Sequence, residues 1–445
     1  MLNRNCLTLA LGSLAIIALS SPVVAADSAG IQSVGIYNCY TGLPAEDVPF
    51  FQACGYNMYQ RWDLGWTIGP AKHEQYYSDM AREFEQMQRA GFKVFALLSI
   101  NMIQRQAGEP EGYKESLFDP ADATLMQKRL DYITTAVRKL KRADGFTIFA
   151  GDPGGHYKAT PMQLLDATKK VMAIVAREAP QAEIIVDTWG IAAWDKFTSP
   201  FTVASWEKEV LLTRTLTGRT DIIGPNVGME FPLHNYYRSL ALKCYVDAGK
   251  LPILYPSAEE VAALKQRGVK RLWGWPYFIT DECDDGYESG TAGTTQAETR
   301  YLKQIIDTGR RLGLNGMTAN AMAPNIFAES LNLYAFGRFC KDPAATPEQI
   351  IREFAEGIAE PESAGELALV IKFIENRSTW QAGLPQKYRL PNFDVGTLKS
   401  ANDALGILAK LAVRERSVLP MTKPPAAYVE KLKERLQVIA TKESK

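Results

Sequence analysis

Acids, amides and tryptophans recur just past short apolar runs in this 445-residue chain. YNMYQRW (56–62) leads to Asp63, so Arg61, Trp62 and Asp63 are consecutive. FKVFALLSI (92–100) is followed by Asn101, and FTIFAG (146–151) by Asp152 and His156 within GDPGGH. EIIVDTW (183–189) carries Asp187 and Trp189 at its end. Glu230 follows DIIGPNV (221–227), VKRLWGW (269–275) holds Trp273 and Trp275, and NGMTAN (315–320) ends on Asn320. These residue types suit sugar chemistry. A glycosidic bond is cleaved by two carboxyl groups, one protonating the leaving oxygen and the other acting as nucleophile or activating water. A tryptophan face beside a carboxyl raises its pKa and keeps it protonated. Indole planes also stack on the apolar faces of sugar rings, while carboxylates, amides and Arg hold the hydroxyls.

The candidate catalytic residues are Asp152, Asp187 and Glu230. Asp152 closes an apolar run, where a charge aimed into a core would be costly. Pro153 and the Gly154-Gly155 pair shape a tight turn after it; the alternative role for Asp152 is to cap that turn. Asp187 has the same placement and the same alternative. Glu230 lies past its apolar run, with its direction open. The candidate substrate-binding residues are Arg61, Asp63, Asn101, His156, Trp189, Trp273, Trp275 and Asn320. Arg61 and Asp63 either grip a substrate or pair with each other around a core Trp62. Trp273 and Trp275 share a strand face by alternation, as a sugar platform or as filling.

Other chemistries lack their motifs. No GxSxG nucleophile elbow is present, and no GxGxxG follows the first strand candidate. Three histidines are too few for a His-rich metal site. The acids Asp281, Glu282, Asp284 and Asp285 lack the ligand spacing of an EF-hand. Neither a metal nor a cofactor is expected.

Something must gather these residues. The apolar runs, starting with SVGIY (33–37), number eight and alternate with helical spacing or long loops. Helices are expected over 74–89, 121–141, 160–178, 235–246 and 296–312. Strict β/α alternation indicates parallel strands with helical crossovers. The expected fold is α/β, a (β/α)8 TIM-like barrel over residues 27–346, whose active site would lie at the carboxyl ends of the strands. LPILYP (251–256) is a ninth strand candidate, and a doubly wound open sheet is the alternative. From residue 347 to 445 the pattern is helical only, as in PEQIIREFAEGIAEP and AAYVEKLKERLQVIA.

Composition narrows the partners. Fifty basic and fifty acidic residues cancel, so the chain lacks the positive surface that nucleic-acid binding requires. A hydrophobic fraction of 46% excludes a disordered chain. Residues 1–26 read as a signal peptide: Arg4, an apolar run from Leu7 to Leu19, then small residues at VVAA with cleavage before Asp27. The protein is therefore expected to be exported, periplasmic or secreted, with no integral membrane span once the signal is removed. The remaining cysteines are Cys39, Cys54, Cys244, Cys283 and Cys340. Five is odd and none forms CxxC, so buried thiols and a Cys39–Cys54 pair both remain open.

The run GLNGMTANAMAPNIFAESLNLYAFGRFCKDPAATPEQIIREF (313–354) resembles the end of the barrel in exported glycoside hydrolases, among them the hyaluronidase-like β-N-acetylglucosaminidases and the α-glucuronidases. RLWGWPYFITDE (271–282) resembles the W-D-N-Y-P-x-N-D strand end of the glucosaminidases, with one residue fewer between Trp273 and Pro276 and without its Asp and Asn. Those enzymes carry two adjacent acids after the fourth strand, whereas Asp152 is followed by Pro153. The resemblance implies a barrel glycosidase acting on a carbohydrate without fixing the sugar. The expected function is an exported glycoside hydrolase cleaving a poly- or oligosaccharide by carboxylate acid/base catalysis. The alternative is a non-catalytic carbohydrate-binding or cell-envelope protein on a barrel scaffold.

Overall fold

The computed structural model describes residues 30–38, 42–68, 70–100, 102, 121–151, 160–188, 203–233, 255–276, 297–320, 329–377, 390–421 and 423–444. Its first half alternates β1 (Ser33–Asn38), α1 (Val48–Cys54), β2 (Met58–Trp62), α2 (His73–Arg89), β3 (Lys93–Ser99), α3 (Ala123–Lys139), β4 (Gly145–Phe149) and α4 (Pro161–Glu178). The second half continues with β5 (Glu183–Asp187), α5 (Val203–Gly218), β6 (Val227–Pro232), α6 (Ala258–Gln266), β7 (Leu272–Trp275), α7 (Thr299–Arg311), β8 (Gly316–Asn320) and α8 (Ser330–Lys341). Each strand pairs in parallel with the next, and β8 pairs with β1. The fold is a closed (β/α)8 barrel.

Local chemistry explains the elements. In α2, Tyr77, Met80, Phe84 and Met87 recur three or four residues apart and are all buried against the barrel. The α4 helix opens on a capping box, in which Thr160 and Gln163 satisfy each other's backbone N–H groups and Pro161 follows. Ser257 and Glu260 repeat the device at α6.

The sixth strand differs from the sequence reading. It is Val227–Pro232, not 221–227. Ile222 and Ile223 are buried, but their N–H groups turn back to Arg219 O, at 3.0 and 2.8 Å. Helices α5 and α6 were not expected from the periodicity. The expected helix over 235–246 lies outside the described residues, as do residues 251–254 of the ninth strand candidate. Tyr255 and Pro256 are described and belong to no strand.

Register and alternation stack the inward side chains in layers. At the floor, Phe95, Ile185 and Trp273 each lean over a glycine of the next strand, namely Gly145, Gly228 and Gly316. Above them lie Gln60, Thr147, Glu230 and Thr318, then Tyr37, Leu97, Asp187 and Trp275. Trp62, Phe149, Pro232 and Asn320 cap the stack.

Beyond the barrel come α9 (Pro347–Ile358), α10 (Pro361–Glu375), α11 (Ala401–Leu408) and α12 (Pro425–Glu443). Their apolar faces join the same core as the barrel helices; Phe354, for example, packs against Tyr334 of α8 and Tyr428 of α12. No described helix is long and apolar enough to cross a membrane. Cys54 and Cys340 are buried free thiols whose burial pushes both pKa values well up. Residues 1–29 and Cys39 lie outside the described residues.

Candidate active site

Two of the three candidate carboxyls meet inside the barrel. Asp187 ends β5, Glu230 sits in the middle of β6, and the two are register partners on adjacent strands. Strand spacing is about 4.8 Å, so they stand side by side. Both are buried, Asp187 to 3% and Glu230 to 1% exposure. Thr188 ties the strand ends together, its N–H and hydroxyl each donating to Glu230 O at 3.1 Å.

Glu230 belongs to a polar layer across the barrel. Gln60 Nε2 donates to Glu230 Oε2 at 3.1 Å and to Thr147 Oγ1 at 3.3 Å. Burial pushes the Glu230 carboxyl up to about 7, against the pull of Thr318 and Gln60 beside it. A carboxyl so placed holds its proton near neutrality and can serve as an acid.

Above this layer an aromatic cluster fills the carboxyl end of the barrel: Tyr37, Trp62, Trp66, Phe149 and Trp275, with Leu97 and Met102. Trp275 Nε1 donates to Asn320 Oδ1 at 3.0 Å, and its ring meets Tyr37 edge to face at 5.4 Å. Trp62 packs on Phe149 at 5.5 Å and on Trp66 at 6.4 Å. Among the described residues, the indole N–H groups of Trp62 and Trp66 and the Asn320 Nδ2 are buried donors with no acceptor.

The expected set therefore divides. Asp187, Glu230, Trp275 and Asn320 are brought together. Trp273 is not at the mouth: it lies below Glu230, its ring against Phe95 at 5.2 Å, as barrel filling. Arg61 and Asp63 face outward, because Met58, Gln60 and Trp62 take the inward positions of β2. Arg61 pairs with Glu83 of α2 rather than with Asp63. Asp63 is fully buried beneath α2 and α3, where the hydroxyls of Tyr77 and Tyr132 lie 3.2–3.3 Å from its oxygens. Burial drives its carboxyl upward, opposed by the nearby Arg129 and these hydrogen bonds. Asn101, Asp152, His156 and Trp189 lie outside the described residues; they follow β3, β4, β4 and β5 in sequence.

Sequence reasoning passed over Gln60, Thr147, Thr318, Tyr37 and Trp66. Gln60 had a signal, since it interrupts the apolar inward face of MYQRW between Met58 and Trp62. Among the described residues no cluster of His, Cys, Asp and Glu could hold a metal ion.

No protein-family model matches the chain, and no curated protein does. Solved structures do. An enzyme of glycoside hydrolase family 138 targeting pectin rhamnogalacturonan II superposes with a TM-score of 0.55 at 8% identity, over 92% of this chain and 56% of that one. The chain thus spans little more than half of that enzyme. A mutant of Thermobaculum terrenum O-GlcNAc hydrolase gives 0.48 at 11% identity, over 85% and 74%. A family 30 endoxylanase from Clostridium papyrosolvens gives 0.42 at 16%, over 70% and 72%. At such identities the likeness is one of fold.

Proposed function

We propose that the chain is an exported glycoside hydrolase acting on a poly- or oligosaccharide. The observation that carries this reading is the side-by-side placement of Asp187 and Glu230 beneath an aromatic mouth with unmatched N–H donors. Two carboxyls, one held protonated by burial, are what glycosidic cleavage requires. Aromatic planes and spare donors are what a sugar ring and its hydroxyls require. In this reading Asp152, which follows β4 in sequence, is the general acid with Asp187 or Glu230 as its partner; where Glu230 keeps its proton it is itself the acid, with Asp187 as its partner. Trp275 and Asn320 shape the sugar subsite, together with Asn101, His156 and Trp189. The fold shared with an enzyme targeting rhamnogalacturonan II supports a carbohydrate substrate. The finer relationship to hyaluronidase-like β-N-acetylglucosaminidases or α-glucuronidases rests on residues 269–354 alone.

The second reading is a non-catalytic carbohydrate binder, in which the aromatic cluster at the mouth contributes to sugar binding and the carboxyl pair does no chemistry. A panel of polysaccharides and aryl glycosides, including N-acetylglucosaminides and glucuronides, separates the two. Wild type should hydrolyse at least one member, and Asp187→Asn or Asp152→Asn should lower kcat about 10²–10⁴-fold with KM little changed. Calorimetric binding of an oligosaccharide without turnover by wild type would establish the binder instead. Full activity in Asp152→Asn would remove that residue as the acid.

A further inference from the structure

Several side chains converge on the six residues that follow β2. Asp63 Oδ1 accepts from Gly65 N at 3.0 Å. Tyr76 Oη accepts from Leu64 N at 2.9 Å, and His73 Nε2 lies 3.1 Å from Ile68 O. The backbone turns tightly between these anchors, with Thr67 N donating to Leu64 O at 2.9 Å and Ile68 N to Gly65 O at 3.2 Å. Tyr132 and Tyr77 close over the turn: a Cβ on Gly65 would stand 2.2 Å from the Tyr132 hydroxyl and 2.8 Å from the Tyr77 hydroxyl. Arg129, also fully buried, lies beside Asp63 and donates through Nε and Nη2 to Ser99 O, at 3.0 and 2.6 Å, at the end of β3. Burying such a cluster is costly, and apolar residues of similar volume would pack as well. The turn carries one large aromatic, Trp66, and that side chain joins the mouth cluster beside Trp62.

We propose that Asp63 is a positioning residue: through Gly65 it fixes the turn that seats Trp66 against Trp62. It thereby fixes the aromatic cluster that backs the mouth, taking the mouth as the carbohydrate site proposed above. Asp63 itself touches no substrate.

The test uses the full chain carrying Asp63→Asn, Asp63→Ala, Asp63→Leu or Gly65→Ala, each with and without Trp66→Phe. Acrylamide quenching of Trp66 is the difference within each pair. Asn keeps an acceptor for Gly65 N, so Asp63→Asn leaves Trp66 shielded. Asp63→Ala and Gly65→Ala raise its quenching constant several-fold while the far-UV spectrum stays native. Gly65→Ala leaves the carboxylate in place but drives a Cβ against the Tyr132 and Tyr77 hydroxyls, so it reports whether the turn seats Trp66. Asp63→Leu, branched alike but with no acceptor for Gly65 N, decides the part of Asp63 if Asp63→Ala does not fold. It exposes Trp66 if the assignment holds and leaves it shielded if it does not. On any substrate that wild type turns over, Asp63→Ala and Gly65→Ala raise KM about five- to tenfold with kcat held within about twofold. Trp66 equally shielded in every folded variant overturns the assignment. So does loss of the whole near-UV spectrum in step with Trp66 exposure, which would make Asp63 a general scaffold residue. Quenching needs no substrate, so an inactive wild type would refute the glycosidase reading and leave this result standing.

Discussion

Glu230 shows what one residue contributes once its position is known. Its carboxyl is neutral in the folded barrel up to about pH 7, against an ordinary value of 4.5. Between those two pH values the native state keeps a proton that the unfolded chain has lost, so this group's contribution falls as pH rises and levels off above 7. The span corresponds to roughly 3 kcal/mol. Gln at 230 cannot ionise. Urea unfolding of Glu230→Gln and wild type at pH 5 and pH 8 should therefore show the variant gaining on wild type by up to roughly 3 kcal/mol at the higher pH. A gap that does not change with pH would mean that Glu230 does not ionise in this window. The sequence made Asp187 conspicuous, because a charge closing EIIV has few places to go. It also singled out Glu230 but left its direction open, because the strand was read at 221–227 and ended short of it. Alternation along β2 already told against Arg61 and Asp63, since residues 61 and 63 take the opposite face from Gln60 and Trp62.

At the scale of elements, seven of the eight strands were legible, and β6 was the one displaced. FKVFALLSI is nearly continuous in apolar residues and gave β3 almost to the residue. β6 reads VGMEFP, with Gly228, Glu230 and Pro232 turned inward, so its period was masked and the neighbouring Ile222-Ile223 pair drew the assignment instead. α5 escaped because its apolar residues form no clean stripe. The same inward glycines that blur the pattern make the floor of the barrel possible. A Cβ on Gly316 would lie 2.2 Å from Trp273 Cδ1, and Trp273 in turn supports the Glu230 layer from below. Gly316→Ala should force the indole off its position at a cost of about 1–3 kcal/mol, read as a lower urea midpoint with an altered near-UV tryptophan band. An unchanged band and midpoint would show that the floor has slack, and the layer above it would need another support.

The whole molecule is a barrel and a helical layer sharing one core, and a single carboxylate tests how tightly they are joined. The helical pattern after residue 347 was legible, with the apolar stripes that join the shared core; the polar joint beside them was not, because no periodicity marks it. Glu375, the last residue of α10, reaches the amino end of α7. It accepts from Thr299 N at 3.0 Å, Thr299 Oγ1 at 2.7 Å, Arg300 N at 2.9 Å and Arg300 Nε at 2.9 Å. It does three jobs there: it caps a helix, answers the positive end of the helix dipole and neutralises a buried guanidinium. The pair is nearly sealed from water, at 1% and 8% exposure. Removing one partner of such a pair strands the other; among the described residues Arg300 then keeps the carbonyl acceptors Pro391 O and Glu375 O and the face of Phe393 at 4.4 Å. Glu375→Ala should thus destabilise by about 3–5 kcal/mol, whereas Gln, which still accepts at the helix terminus, should cost less. Because the joint ties a helix between β7 and β8 to the outer layer, the loss should lower one shared calorimetric transition. Two separated transitions in wild type, with only the later or the earlier one moved by Glu375→Ala, would show instead that the barrel folds without its helical layer.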